Sequence, residues 1–573
     1  MSLRHLLVAP VVLLTLGACN LHTPPSAPDA EGTGPVSTRN EARTGSSPEP
    51  AERGKTRVRM APGAPQGSAP AAAYSMADSP PLDIRTPSAP LDREQYAHFD
   101  DNPVKRVAEL PVSTFSLDVD TGSYSNVRRF LHQGRLPPTD AVRTEELINY
   151  FAYSDAAPTN RDAPFAVTTE VAPSPWNPKT HLLRIGVKTW APPPERLPPA
   201  NLVFLVDVSG SMKSPDKLPL VKQSLHLLVR RLGARDRVAL VAYAGASGVV
   251  LEPTPGDRKA TIEAAIDQLE AGGPTHGAAG IQLAYAKARE GFIPGGINRV
   301  LLATDGDFNV GVVGHDALVD LVKRERAHGV ALTTLGFGTG NYNERLMEQL
   351  ADQGDGAYAY IDDLQEARKV LVENLGGTLL TVARDAKVQV EFNPSAVSEY
   401  RLIGYENRQL RREDFANDRV DAGDVGAGQS VTALYEIALA GSGGERVEPL
   451  RYQSQAVAGG HSRELAFVRV RYKKTDEAAS SLIERPVARA TVRADLGGAS
   501  DDLRFAAAVA AFGQRLRGGT YLEGFGYDAI VKLAQGARGD DPEGHRAEFL
   551  KLVKLADSLE PASPAGPGDR APD

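Results

Sequence analysis

Asn201-Leu-Val-Phe-Leu-Val-Asp-Val-Ser-Gly-Ser-Met212 is the stretch that decides the fold of this chain. Its five consecutive apolar residues, 202–206, predict a strand that is buried on both faces. Asp207, Ser209 and Ser211 follow this strand and place one carboxylate and two hydroxyls on a turn. Hard oxygen donors of this kind suit Mg²⁺, which prefers oxygen ligands at about 2.0–2.1 Å in octahedral geometry. The stretch therefore predicts a buried strand that ends in a magnesium site.

Two later segments supply further oxygen donors. Gly272-Gly-Pro-Thr275 lies on a loop before an apolar-periodic helix, and Arg299-Val-Leu-Leu-Ala-Thr-Asp305 is a second apolar strand that ends in a carboxylate. Ligands of parallel α/β sheets bind beyond the carboxyl ends of the strands. We therefore expect Thr275 and Asp305 to lie at the same sheet edge as Asp207.

The segment from 200 to 377 alternates strand and helix patterns. Strands are predicted at 202–206, 237–243, 248–252, 299–304, 331–336 and 357–361, and helices at about 215–232, 258–270, 277–290, 315–328, 342–353 and 363–375. Such alternation predicts an α/β fold with a doubly wound, mostly parallel sheet that is covered by helices on both faces. The short piece at 248–252 follows its neighbour directly, so we expect it to be an antiparallel edge strand.

In these residues the sequence resembles the von Willebrand factor type A (VWA) domain and its metal-ion-dependent adhesion site. The family's Asp-x-Ser-x-Ser motif falls on Asp207, Ser209 and Ser211, its threonine on Thr275 and its later aspartate on Asp305. The resemblance implies a metal site for Mg²⁺, with Mn²⁺ and Ca²⁺ as alternatives. It also implies a protein partner that presents an Asp or Glu to the metal.

The amino-terminal residues 1–19 are predicted to be a signal peptide, with an apolar core at 6–16 that is too short to span a bilayer. Leu16-Gly17-Ala18-Cys19 resembles a bacterial lipobox, and Cys19 is the only cysteine of the chain. We expect lipidation of Cys19 and a lipid-anchored location in the bacterial cell envelope. Asn20 resembles an outer-membrane sorting signal. Residues 20–103, rich in Pro, Ala, Ser and Gly, are predicted to be a disordered tether, and 561–573 a disordered tail.

The segments on either side of 200–377 carry weaker patterns. Residues 104–199 are predicted to be an α+β segment, 378–500 a β-rich domain with antiparallel strands at 388–392, 431–439 and 464–472, and 501–560 its helical part. The phrases at 118–131 (DVDTGSYSNVRRFL) and 145–151 (EELINYF) resemble the segment that precedes the VWA domain in a bacterial lipoprotein family. The region after 377 resembles that family's carboxyl-terminal domain of unknown role. Strands on both sides suggest that the VWA domain is inserted into one β-rich domain.

Two polar clusters have plain structural interpretations. Asp118, Asp120 and Ser123 precede a helix predicted at 124–132, and we interpret them as helix caps rather than as a second metal cluster. Residues 408–412 contain three arginines and are predicted to form a solvated loop.

The net charge and the sequence motifs argue against two classes of function, nucleic-acid binding and enzymatic catalysis. A net charge of −8 argues against nucleic acid as a partner, because nucleic acids favour a basic face. The sequence lacks the His-Glu-x-x-His, Gly-x-Ser-x-Gly and phosphate-loop motifs, and His276 is the only histidine beside a predicted ligand. We therefore predict a non-enzymatic, membrane-anchored module for metal-dependent protein interaction or adhesion. The alternative is a structural or regulatory envelope lipoprotein without metal-dependent capture.

Overall fold

A computed structural model describes residues 96–117, 120–193, 196–275, 277–306, 315–339, 343–420, 422–451, 461–475 and 479–560. All of them belong to one compact unit, Arg85–Asp573. The predicted signal peptide with Cys19, most of the predicted tether and the predicted tail lie outside the described residues.

The described part of the chain contains sixteen strands and twelve α-helices. The strands are β1 (Lys105–Arg106), β2 (Val112–Ser116), β3 (Phe165–Pro173), β4 (His181–Thr189), β5 (Ala200–Asp207), β6 (Arg237–Tyr243), β7 (Ser247–Pro255), β8 (Ile297–Thr304), β9 (Ala331–Phe337), β10 (Tyr358–Ile361), β11 (Thr381–Phe392), β12 (Val397–Ile403), β13 (Gly423–Gly426), β14 (Ser430–Leu439), β15 (Glu464–Lys474) and β16 (Ser480–Ala488). The helices are α1 (Gly122–His132), α2 (Thr144–Asn149), α3 (Leu218–Val229), α4 (Lys259–Asp267), α5 (Gly277–Glu290), α6 (His315–Ala327), α7 (Glu344–Gln353), α8 (Leu364–Arg368), α9 (Leu375–Leu379), α10 (Asp501–Leu516), α11 (Tyr527–Gln535) and α12 (His545–Leu559).

The central sheet has the strand order β10-β9-β8-β5-β6-β7. All neighbouring strands are parallel except β7, which pairs antiparallel with β6 at the edge, as predicted. Every residue of β5 is buried, because its two faces contribute to two different cores. Leu202, Phe204 and Val206 pack with α3, α4, α8 and α9, whereas Val203 and Leu205 pack with α5, α6 and α7. The predicted doubly wound α/β fold is confirmed.

Two antiparallel sheets are built from chain segments on both sides of the central domain. One has the order β1-β12-β14-β4-β3, and the other has the order β13-β11-β15-β16 with β2 also paired to β11. Strands β1, β2 and β4 precede the central domain, and each pairs with a strand that follows it. The suggested insertion of the central domain into one β-rich domain is therefore observed in the strand pairing.

We call the part built from the segments on both sides of the central domain the flanking domain, and its described residues form two large apolar cores. The first lies between the two antiparallel sheets and includes Val187, Val390 and Tyr435. The second lies on the other face of the first sheet, where Leu182 and Leu434 pack with helices α1, α2, α10, α11 and α12. The predicted helical carboxyl-terminal part is thus a cover for this sheet.

The helix predicted over 363–375 is not continuous. Helix α8 ends at Arg368, a π-helical turn spans Lys369–Glu373, and α9 begins at Leu375. The Asn374 amide nitrogen donates to the Lys369 carbonyl oxygen at 2.9 Å, five residues back, which is the π-type spacing. The periodicity identified the helical segment but not the extra residue that the π turn inserts.

The predicted helix caps of α1 are wrong for the described residues. Thr121 is the N-cap residue, and its own side chain makes no capping hydrogen bond. The Ser123 amide nitrogen instead donates to Oε2 of Glu146, 2.8 Å away. Asp118 lies outside the described residues, and Asp120 forms an ion pair with a distant arginine. Glu146 of α2 therefore accepts the hydrogen bond that the local residues were expected to accept.

That arginine is Arg408, so the prediction of a solvated loop at 408–412 is also wrong in part. Its guanidinium contacts carboxylate oxygens of Asp120 at 3.2 Å, Glu348 at 2.6 Å and Asp352 at 3.4 Å. Glu348 and Asp352 belong to α7 of the central domain. Arg408 therefore joins the flanking domain to the central domain.

A second arginine joins the two domains from within the interior. Arg128 of α1 is completely buried and donates to Glu366 at 2.8 Å, to Glu548 at 3.0 Å, to the Tyr150 hydroxyl at 3.1 Å and to both oxygens of Asp362. Asp362 and Glu366 lie at the end of β10 and on α8 of the central domain. We call Arg128 with these three carboxylates the Arg128 cluster.

Three carboxylates surround Arg128, and Lys369 supplies a second cation beside them. Burial raises the pKa of Asp362 to about 6, although Arg128 opposes that shift. A carboxyl group whose pKa is higher in the folded than in the unfolded protein stabilises the fold below its unfolded pKa. That contribution is lost as the pH rises through its folded pKa.

We predict that the free energy of unfolding includes a contribution from Asp362 that falls by about 1 kcal/mol between pH 5 and pH 7. Asp362→Asn removes this contribution. The free energy of unfolding of this variant, relative to that of the unmodified protein, should therefore rise by the same amount from pH 5 to pH 7. Urea denaturation at both pH values, in EDTA, measures the difference. Identical pH slopes for the two proteins would contradict the assignment.

Candidate metal centre

The carboxylate of Asp207 is held in one orientation at the end of β5. It is fully buried, its Oδ1 accepts from the Ser209 amide nitrogen at 2.8 Å, and its Oδ2 accepts from the Thr304 hydroxyl at 3.2 Å. Thr304 is the last residue of β8, the neighbouring strand. The hydrogen bonds therefore tie the ends of two parallel strands together at this carboxylate.

The two predicted serine ligands lie side by side. The Oγ atoms of Ser209 and Ser211 are 3.0 Å apart. Ser209 is buried, and it precedes the 3₁₀ turn Gly210–Lys213, on which Ser211 is partly exposed. This turn presents two hydroxyl oxygens next to the Asp207 carboxylate.

The loop that carries Thr275 is hydrogen-bonded to the serine turn. The Gly272 amide nitrogen donates to the Val208 carbonyl oxygen at 2.7 Å, and the Gly210 amide nitrogen donates to the Gly273 carbonyl oxygen at 2.9 Å. Gly273 has a φ of +83°, a conformation that glycine adopts without strain. Thr275 is partly buried two residues further on, and His276 lies outside the described residues. The structure therefore brings the threonine loop against the turn that follows β5.

Asp305 follows β8 directly and is fully buried. Its Oδ2 accepts a hydrogen bond from the Lys217 ammonium group at 2.8 Å. Burial is the main cause that raises the pKa of Asp207 to about 6, and the negative charge of Asp305 contributes to the same shift. The two carboxylates thus lie close to each other at this sheet edge.

The donor set fits a hard divalent cation. It combines two buried carboxylates with the adjacent hydroxyls of Ser209 and Ser211, and the threonine loop lies against them. Oxygen donors of this type suit Mg²⁺, Mn²⁺ and Ca²⁺ rather than the nitrogen- and sulfur-preferring Zn²⁺. Within the described ranges, no group of three or more His, Cys, Asp and Glu side chains is arranged to hold a metal. A site here would therefore depend on the hydroxyl oxygens.

Sequence reasoning missed Lys217. This lysine immediately precedes α3 and is buried, with its ammonium group against a residue 88 positions away in the chain. A lysine at the start of an amphipathic helix is normally solvated, so the local pattern contains no signal of this contact. The adjacency follows only once β5 and β8 are known to be neighbours.

Three protein-family models match the chain. The model described as von Willebrand factor type A domain matches residues 201–373, the one described as von Willebrand factor matches 90–184, and the one described as Uncharacterized protein YfbK, C-terminal matches 377–559. The match over 201–373 covers the central domain and all five predicted ligands.

A relative from Escherichia coli (strain K12), described as Uncharacterized protein YfbK, is 50% identical over 473 residues, which is 81% of this chain and 81% of the relative. The chain belongs to the YfbK family of VWA-domain proteins. Uncharacterized protein sll0103 of Synechocystis sp. is 31% identical over 185 residues, 32% of this chain and 43% of that protein. A solved structure described as von Willebrand factor type A from Catenulispora acidiphila is 16% identical with a TM-score of 0.38, and the match covers 70% of this chain and 91% of that one.

The VWA domain implies a role in protein–protein interaction or adhesion. Among the described residues, none of the helices has the length and apolar character needed to cross a bilayer.

Proposed function

We propose that this protein is a membrane-anchored binding module whose VWA domain captures an acidic residue of a partner protein through a bound Mg²⁺. One observation carries the proposal. The turn after β5 is hydrogen-bonded to the threonine loop, and Asp207 is hydrogen-bonded to Thr304 at the end of β8. Mn²⁺ and Ca²⁺ are alternatives because they prefer similar ligands.

Each residue of the site has a defined part in this proposal. The hydroxyls of Ser209, Ser211 and Thr275 would bind the ion directly, while Asp207 and Asp305 would hold it directly or through water. When bound, the ion supplies an electrophilic centre with an exchangeable coordination position. Two carboxylates neutralise a divalent ion without excess negative charge, so a carboxylate from a partner is not repelled.

The proposal includes an anchor at the cell envelope. The apolar core at 6–16, the lipobox-like sequence before Cys19 and the absence of any other cysteine in the chain support lipidation at Cys19. Asn20 favours the outer membrane. Residues 20–103 would then act as a tether between the lipid and the folded part, and nucleic acid is not proposed as a partner.

A second function has an observation in its favour. The ammonium group of Lys217 already compensates Asp305, so the site could serve as a structural ion pair. The protein would then be a structural or regulatory envelope lipoprotein without metal-dependent capture. Neither proposal includes an enzymatic activity, since the sequence contains none of the hydrolase and phosphate-loop motifs named above.

The double substitution Ser209→Ala with Ser211→Ala is expected to abolish Mg²⁺-dependent capture of envelope proteins. It removes two neutral ligands without placing an unpaired charge in the interior. Immobilised protein, incubated with envelope extract in Mg²⁺ or in EDTA, measures capture. Ser214→Ala, three residues beyond Ser211, is the matched control and should retain partners as the unmodified protein does. Equal retention in Mg²⁺ and EDTA would contradict metal-dependent capture and favour the second function.

A further inference from the structure

Lys217 places a cation directly on a predicted metal ligand. Its Nζ lies 2.8 Å from Oδ2 of Asp305, and both side chains are buried, at 8% and 0% exposure. A buried ion pair forms only where each charge compensates the other, because leaving either of them alone in the interior is strongly unfavourable. The ion pair between Lys217 and Asp305 is therefore a fixed feature of the folded site.

The stem of Lys217 is confined so that the ammonium group reaches the site. A Cβ atom at Gly338 would lie 2.3 Å from Cγ and 2.4 Å from Cε of Lys217, so only glycine leaves room for the stem. Gly338 follows β9 with a φ of +73°, and its carbonyl oxygen accepts from the Tyr360 hydroxyl at 2.7 Å. Lys217 thus extends from α3 along the carboxyl edge of the sheet, past the end of β9, to the end of β8.

The effect of the contact between Lys217 and Asp305 on metal binding follows from the charges at the site. Asp207 and Asp305 carry two negative charges when ionised, and Lys217 carries one positive charge. The site then has a net charge of −1 without a divalent ion and +1 with one. A cation in contact with a metal-binding carboxylate opposes a second cation there, and a net positive site attracts an anionic ligand.

We propose that Lys217 is an internal counter-cation of the metal site. It compensates Asp305 when no divalent ion is present, keeps the site assembled in that state, and lowers the affinity for the ion. The loaded site retains a positive charge that a carboxylate of a partner neutralises. This inference deepens the proposed function and rests on it for the role of the partner, but the competition between Lys217 and the metal can be tested separately.

Lys217→Met tests the inference in the full-length protein. The variant keeps the packing of the stem against Gly338 but removes the ammonium group that contacts Asp305. We expect the dissociation constant for Mn²⁺, measured by electron paramagnetic resonance, to fall by about ten-fold or more. We also expect the unfolding temperature of Lys217→Met to fall in EDTA and to recover in saturating Mg²⁺. The unfolding temperature of the unmodified protein should depend only weakly on Mg²⁺.

Two further variants keep the experiment decisive. Lys217→Gln, which retains a hydrogen-bond donor without the charge, replaces Lys217→Met if that variant does not fold, and should also bind Mn²⁺ more tightly. Lys213→Met removes an exposed positive charge from the same segment, and should change neither the Mn²⁺ affinity nor the stability in EDTA.

The outcomes separate this inference from the proposed function. Unchanged or weaker Mn²⁺ binding by both Lys217 variants overturns the inference, and leaves the proposed function intact if the unmodified protein binds Mn²⁺. Binding by the variants alone supports the counter-cation role and overturns metal-dependent capture by the unmodified protein. Absence of binding in every protein overturns both.

Discussion

Replacing Arg128 by Met is expected to lower the free energy of unfolding by about 3–5 kcal/mol, the usual effect of removing one partner from a buried ion pair. The substitution keeps much of the side-chain volume but leaves the carboxylates of Asp362, Glu366 and Glu548 without the guanidinium that they share. Urea denaturation measures the loss. Arg135→Met, at an exposed arginine just beyond the same helix, is the control and should change stability by less than about 0.5 kcal/mol.

The reason for this loss can be tested by removing the charges that Arg128 leaves behind. Adding Asp362→Asn and Glu366→Gln to Arg128→Met replaces two buried carboxylates by neutral amides, so part of the lost stability should return. If the triple variant is less stable than Arg128→Met alone, unpaired charge is not the origin of the effect. A loss below about 1 kcal/mol for Arg128→Met would show that the Arg128 cluster does not hold the two domains together.

Asp207→Asn is expected to weaken Mn²⁺ binding by about 100-fold or more, because it removes one of the two negative charges of the predicted site. The same substitution should not destabilise the metal-free protein at pH 7. Burial raises the pKa of Asp207, so the ionised carboxylate is itself unfavourable in the fold. Isothermal titration calorimetry and thermal unfolding in EDTA measure the two quantities.

Thr304→Ser is the matched control for Asp207→Asn. It keeps the hydroxyl that donates to Asp207 Oδ2 and removes only a methyl group. Its Mn²⁺ affinity should stay close to that of the unmodified protein. Unchanged affinity in Asp207→Asn would contradict the predicted role of this carboxylate. Loss of stability without loss of affinity would show that Asp207 is structural.

The central domain could be predicted from sequence because its strands are continuous apolar runs between helical patterns. The flanking strands were harder to predict for specific reasons. Strand β12 contains Glu399 and Arg401, which are buried through contacts with distant residues and obscure its alternation. Edge strand β16 contains Pro486 and has a single buried residue, Val487, so its hydrophobic signal is weak.

The places of Asp207 and Asp305 at the ends of neighbouring strands could also be predicted, since a carboxylate at the carboxyl end of a parallel strand has a defined place in such a sheet. The cations that pair with buried carboxylates could not be predicted. Lys217 meets its carboxylate 88 residues away, and Arg128 meets Asp362 234 residues away. In each case the charge pair depends on which elements become neighbours, and a local charge pattern does not contain that information. The same limit explains the wrong prediction for Arg408.

Anomalous diffraction from crystals of this protein grown with Mn²⁺ tests the central claim most directly. We predict one strong anomalous peak at the carboxyl edge of the central sheet, bounded by the hydroxyls of Ser209, Ser211 and Thr275 and by the carboxylates of Asp207 and Asp305. The peak should disappear in crystals of the Ser209→Ala, Ser211→Ala variant. A map with no peak among these five residues at saturating Mn²⁺, while the sheet edge keeps its structure, would contradict the metal centre and the capture mechanism built on it.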